Sequence, residues 1–220
     1  TRLVYESKFF YYSRAFDDQV RTFCMCPYGE VSTEFAGDVM TVNGHSFAHR
    51  RTNNTNFAIL VSKNFTEPFD DPITYGKSIA RLANLLSGGI IVQRLGDLEA
   101  GRRSNTERLA RSIVTPTLLS AVPGDLNLVL PYRHVVNILE MLHALDKVAP
   151  GVASRHTLLY GVEAKFYSSR PRLTADMETE VEGLYACGDG AGVTRGLVQA
   201  SASGLVAARA VLQRRDGQQA

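Results

Sequence analysis

The stretch Gly183-Leu184-Tyr185-Ala186-Cys187-Gly188-Asp189-Gly190-Ala191-Gly192 decides how this chain is read. Its apolar run, Leu184 to Cys187, predicts a buried strand. Glycines at 188, 190 and 192 then predict a tight turn, and a helix is expected from about Arg195 to Leu212. Glycine lets backbone approach a ligand without a Cβ clash and accepts positive φ. The helix that follows offers unpaired N–H groups and the positive end of its dipole. Small residues from Ala200 to Gly204 let it lie close against a sheet or a cofactor, and Asp189 can accept a hydrogen bond from a sugar-like hydroxyl. The spacing differs from the dinucleotide fingerprint G-x-G-x-x-G, which would need glycine at Val193 or at Arg195. A tight strand-to-helix turn without a ligand therefore stays open on spacing alone.

Around this unit the composition is that of an ordinary globular protein: 220 residues, 45% hydrophobic, 21% charged and a net charge of +2. It excludes a disordered tail, a fibre and a mostly transmembrane chain, and so small a positive excess implies no nucleic-acid partner. Cys24, Cys26 and Cys187 are too few for a disulfide scaffold, which points to a reducing, cytoplasmic setting. No apolar run approaches a membrane span. The first residue is Thr1, not Met, so we expect further sequence upstream.

Upstream of the turn, the first third is rich in aromatic and β-branched residues and predicts a sheet. Strands are expected over Leu3 to Tyr11, Val20 to Met25, Glu30 to Phe35, Val39 to Val42 and Asn56 to Ser62, with turns at Ala36-Gly37-Asp38 and at Asn43-Gly44. Ile79, Leu82, Ala83 and Leu86 repeat at helical spacing and stop at Ser87-Gly88-Gly89. Ile90-Ile91-Val92 reads as a short buried strand. Residues 94–111 carry Arg94, Arg102, Arg103, Arg108 and Arg111 with little apolar content, and predict a solvated loop or linker. A second amphipathic helix follows Pro131, burying Val135, Ile138, Leu139, Leu142 and Leu145. Leu158 to Tyr167 is expected to be extended.

The run from Gly183 to Gly192 resembles the second FAD motif of flavoproteins with two dinucleotide-binding domains. Other segments fit one family in order over about residues 15–212: Arg21 to Pro27, Val42 to Ser46 with Arg50, Asn56 to Val61, Pro123-Gly124-Asp125-Leu126, Leu130-Pro131, Gly161-Val162-Glu163 and Ser168 to Leu173. They resemble bacterial FAD-dependent dehydrogenases of uncharacterised substrate, often labelled NAD(P)/FAD-dependent oxidoreductases. Tyr28 stands where that family usually has a second Gly after Pro27. Asp189 stands for a more usual Glu, and Thr194-Arg195-Gly196 for a more glycine-rich run.

The resemblance implies an α+β fold. Residues 1–157 would form a mixed or antiparallel sheet substrate-binding (cap) domain with helices. Residues 158–220 would return as the strand-turn-helix of a two-dinucleotide-binding FAD fold. The cofactor implied is FAD, held by Gly188, Asp189, Gly190, Ala191, Gly192 and Gly196. Its ADP-binding half would lie upstream, so the 220 residues alone are expected to bind FAD weakly or not at all. A small-molecule substrate is implied, and NAD(P)H is the candidate electron donor.

No catalytic residue is fixed by this reading; the candidates are Cys24, Cys26, His45, Arg50 and Arg172. Arg172 could stabilise a negative flavin or a substrate carboxylate, or simply sit on a strand edge. Cys24-x-Cys26 is either a redox pair or buried packing; we expect the strand to set the thiols on opposite faces unless Pro27 supplies a turn. Cys187 is expected in the core. His45, His49 and Arg50 form a proton-donor or anion patch, or a solvated turn, and lack the further ligands a metal needs. His134, His143 and His156 are expected to be structural or exposed. No G-x-S-x-G element appears, which removes hydrolase readings. Two alternatives remain: a non-catalytic binding module with a flavoprotein-like fold, and a thiol redox protein using Cys24 and Cys26.

Overall fold

A computed structural model describes residues 8–165, 170–194 and 196–217. The chain divides into two compact units, Thr1–Ala164 and Lys165–Ala220.

The first unit is mixed α+β with three small sheets. In one, β1 (Phe10–Tyr12), β2 (Gln19–Cys26) and β5 (Asn56–Val61) run antiparallel in the order β1-β2-β5. The expected first strand survives only as β1, since residues 1–7 lie outside the described residues. A hairpin of β3 (Glu30–Ala36) and β4 (Val39–His45) turns through Gly37, whose φ of 68° suits the two-residue loop. The turn expected at Asn43-Gly44 is not there; both residues continue β4, with Gly44 opposite Val31. A Cβ at Gly44 would stand 2.1 Å from Asn56 Oδ1, so this glycine provides close packing rather than a bend.

Helix α1 (Pro72–Ser87) begins where Asp71 accepts from the Thr74 amide and ends at Gly88, φ 68°. Asn84 clamps it to β4 twice: its Oδ1 accepts from the Met40 amide at 2.9 Å, and its Nδ2 donates to the Met40 carbonyl at 2.8 Å. The third sheet has β6 (Ile91–Arg94) at its centre. β7 (Val122–Pro123) pairs with it parallel, and β8 (Leu158–Gly161) antiparallel. β8 therefore packs within the first unit, and Phe166 and Tyr167 lie outside the described residues. Helix α4 (Tyr132–Asp146) follows Pro131 as expected and buries Val135, Met141, Leu142 and Leu145. Ile91, Leu95 and Leu142 sit fully inside the core, each contributing about 1.5–3 kcal/mol by leaving water.

Residues 94–111 fit the expected solvated loop or linker only in part: Arg102, Arg103 and Arg111 are exposed, but the segment is partly helical and its start is buried. They form two short helices, α2 (Leu95–Glu99) and α3 (Thr106–Ala110), around a polar interior. Asp97 and Ser104 are fully buried there, and Arg94 nearly so. Asp97 accepts from Ser104 Oγ at 2.8 Å and from Arg102 Nε at 3.0 Å, with Arg108 Nε 3.8 Å away. Mutual pairing lets these charges tolerate burial.

In the second unit, the Thr179 amide donates to the Leu184 carbonyl at 2.8 Å, and Ala186 to Met177 at 3.0 Å. These bonds make a small hairpin turned at Gly183, φ 77°. The expected buried strand is thus an exposed arm: Leu184 is 53% exposed and Cys187 is exposed rather than packed in a core. Tyr185 forms an isolated bridge with Glu178. Helix α5 (Leu197–Gly217) starts and ends slightly later than expected. Arg214 near its end pairs with Glu178 at 2.6 Å and with Glu182.

Candidate functional site

The glycine turn is built by its own hydrogen bonds. Gly188 adopts φ 76° and ψ −168°, and its amide donates to Ser203 Oγ on α5 at 2.9 Å. The Ser203 hydroxyl donates onward to the Ala200 carbonyl at 2.8 Å. Asp189–Ala191 make one turn of 3-10 helix, which Gly192 closes at φ 71° by donating its amide to the Asp189 carbonyl. Ala191 is buried and anchors the bend from beneath. Gly190 is the opposite: a Cβ there would meet nothing within 4 Å. Among the described residues the Gly190 amide has no acceptor.

Asp189 Oδ1 accepts from the Thr194 hydroxyl at 2.5 Å. The Gly196 carbonyl accepts from the Ala200 amide at 2.9 Å, opening α5. Gly188, Asp189, Gly190, Ala191 and Gly192 therefore share one bend, with Gly196 at the helix start; Arg195 lies outside the described residues. An open backbone edge, an available amide and a carboxylate that already holds a hydroxyl suit the hydroxyl- and phosphate-bearing chain of a dinucleotide. The FAD implied by the sequence fits these residues.

Val193, next along the chain, lines an open cleft of about 320 Å³ with Arg170, Pro171, Arg172 and Leu173. Arg172 Nη1 lies 3.4 Å from Glu180 Oε1, and with both side chains mostly exposed this pair holds the guanidinium only weakly. The structure thus brings the arginine segment and the glycine turn to one place. Ser168 and Ser169 lie outside the described residues.

The other candidates are in the first unit. Cys24 and Cys26 do not point to opposite faces: residues two apart share a face of a pleated strand, and their Sγ atoms are 4.0 Å apart. β2 is irregular between Phe23 and Cys26, and Cys24 takes φ 49°. His45 and Arg50 sit on the surface against Phe47, the His45 ring 4.4 Å and the Arg50 guanidinium 4.2 Å from it. Arg50 is paired with Glu30 at 2.6 Å; His45 ends β4 rather than following a turn. No group of three or more metal-ligating side chains occurs among the described residues. Tyr28 adopts φ 56°, a backbone state that favours glycine, which gives the family's usual Gly a physical reason.

Two polar clusters had no clear signal in the sequence. One is centred on Asp97. In the other Asp18, nearly buried, accepts from Arg133 at 2.5 and 2.8 Å, Asn137 at 2.9 Å and Lys63 at 3.2 Å. The Arg133 guanidinium, with Asn137 and Lys63, holds the Asp18 carboxyl well below the usual range. Burial pushes the neighbouring His134 imidazole down, and its Nδ1 has no acceptor or donor among the described residues. His143 bonds Glu99 at 2.9 Å and His156 lies 3.5 Å from Ser112 Oγ, both in structural roles.

Comparison with known proteins gives two family matches. The model described as "FAD-dependent protein, C-terminal domain-like" matches residues 5–166, and that of "Glucose inhibited division protein A" matches residues 120–219. An uncharacterized protein of Clostridium beijerinckii (strain ATCC 51743 / NCIMB 8052) is 30% identical over 219 residues. The alignment covers 94% of this chain and 40% of that protein, so the chain spans about two fifths of the relative's length. No helix among the described residues is long and apolar enough to cross a membrane.

Proposed function

The chain belongs to the family of FAD-dependent proteins, C-terminal domain-like, and from that premise we propose that it is the substrate-binding and FAD-closing portion of a flavin-dependent oxidoreductase. The observation that carries the proposal is the bend from Gly188 to Gly192, open and unhindered at Gly190, beside a cleft that contains two arginines. When bound, FAD supplies the electron-transfer chemistry. The chain's residues hold and orient it. The Gly190 amide would donate to a phosphate or carbonyl oxygen, the positive-φ residues Gly188 and Gly192 would set the bend, and Asp189 would accept from a sugar-like hydroxyl. Ala191 fixes the bend and Gly196 sets the start of α5. Arg172, in the cleft beside Val193, would stabilise negative charge on a reduced flavin or a substrate carboxylate.

In this reading residues 1–157 supply the substrate-binding (cap) side and residues 158–220 the returning FAD segment. The substrate is a small molecule, with NAD(P)H as the candidate donor. The test is the visible spectrum of a purified full-length parent chain, before and after anaerobic NADH or NADPH. Bound oxidised flavin that bleaches on adding donor is the expected result. A colourless protein that takes up no added FAD would overturn the reading. A thiol redox role for Cys24 and Cys26 is a second reading, favoured by their 4.0 Å separation.

A further inference from the structure

We propose that Cys24 and Cys26 form a reversible dithiol–disulfide site that exchanges an electron pair with a small-molecule disulfide of the glutathione type. On a regular strand, residues two apart have Cα atoms about 6.6 Å apart, near the outer limit of about 6.8 Å that a disulfide spans. β2 is not regular at this point: its register shifts between Phe23 and Cys26, and Cys24 turns to φ 49°. The result is two sulfur atoms in contact at 4.0 Å, with the Cys26 thiol also donating to the Cys24 carbonyl at 3.5 Å.

The pocket for Cys26 is made by two glycines. A Cβ at Gly29 would lie 2.8 Å from Cys26 Cβ, and one at Gly44 would lie 3.3 Å from its Sγ. Cys26 is thereby buried at 5% exposure while Cys24 is half-buried. That difference assigns the roles. The Cys24 thiolate attacks one sulfur of the small disulfide, breaking its S–S bond and releasing one thiol. Cys26, losing its proton, then attacks Cys24 Sγ in the mixed disulfide and expels the second thiol. One small disulfide is reduced to two thiols, two protein thiols are oxidised to one disulfide, and their two protons go to the departing thiolates. The site lies wholly in the first unit and stands or falls independently of the flavin turn.

The experiment uses the full chain with Cys187→Ser, which removes the exposed third thiol. It is equilibrated with reduced and oxidised glutathione, quenched with acid, alkylated and weighed intact. The expected result is that both thiols are lost together, with no glutathione retained, and return on adding dithiothreitol. Cys26→Ser in the same background should instead trap one glutathione on Cys24. Two alkylatable thiols persisting in excess oxidised glutathione would overturn the proposal. So would a stable glutathione adduct in the two-cysteine chain, or a disulfide-linked dimer.

Discussion

The Gly188 amide donates to the Ser203 hydroxyl oxygen at 2.9 Å, tying the glycine bend to the second turn of α5. Ser203 is 6% exposed, so water cannot replace it easily. Ser203→Ala should leave the Gly188 N–H without a partner, a loss of about 1–3 kcal/mol. Hydrogen exchange at the Gly188 amide should speed by roughly tenfold or more, since about 1.4 kcal/mol is tenfold. An unchanged exchange rate would mean the bend is held by something else.

Asp97, fully buried, gathers buried Arg94 and Ser104, half-buried Arg108 and exposed Arg102. Asp97→Ala leaves the buried Arg94 guanidinium without its carboxylate, and should destabilise by about 3–5 kcal/mol. Arg172→Gln, on an exposed pair, should change stability by less than about 1 kcal/mol. Urea denaturation of both variants checks the contrast.

Acid should destabilise the first unit in two steps. Burial, aided by Arg133 and Lys63 and opposed by Asp18, holds His134 below its ordinary value. The unfolded chain therefore takes up a proton near pH 6.5 that the folded chain refuses, and stability falls as pH drops through about 6.5. Asp18 and Asp97 are both held below the usual carboxylate range. Arg133 does this for Asp18; for Asp97 burial pushes up, but Ser104 and the arginines outweigh it. Their contribution is complete above about pH 4 and is lost as pH falls further. Melting midpoints of His134→Gln should lose the first step and keep the second.

Gly29 has the His45 carbonyl oxygen 2.6 Å and the Cys26 carbonyl oxygen 2.9 Å from where a Cβ would stand. Both are backbone atoms, which cannot swing aside. Gly29→Ala should cost about 1–3 kcal/mol through forced backbone shifts, read as a lower thermal midpoint. Gly101→Ala, which meets no neighbour within 4 Å but sits at φ 61°, isolates the conformational cost from the steric one.

What was legible in the sequence is what neighbouring residues decide. Gly37 turns its hairpin, Gly88 ends α1, and Pro131 opens α4, each from local backbone preference. The glycine bend from Gly188 to Gly192 was legible for the same reason. Gly44 was misread because its reason lies in Asn56, twelve residues on. The run from Arg94 to Arg111 misleads because charge ordinarily means solvent. Arg102, Arg103 and Arg111 are indeed exposed, but Arg94, Asp97 and Ser104 are buried by groups outside the run: Gln93 donates to Asp125 and accepts from the Leu126 amide, and Ser104 donates to the Gly124 carbonyl. The opposite-face expectation for Cys24 and Cys26 fails because residues two apart on a strand share a face; what the sequence could not show is the irregularity of β2 against β5 at this point. Leu184 and Cys187 read as interior from their composition, yet both are exposed among the described residues.

The most direct test of the central claim is FAD retention by the full-length parent chain carrying Gly190→Val. A Cβ at 190 would meet nothing within 4 Å, so the fold should change little. If the bend receives FAD, the added atoms occupy the cofactor's approach, and affinity should fall about tenfold or more with the unfolding midpoint unchanged. Full flavin content and unaltered affinity in that variant would contradict the account.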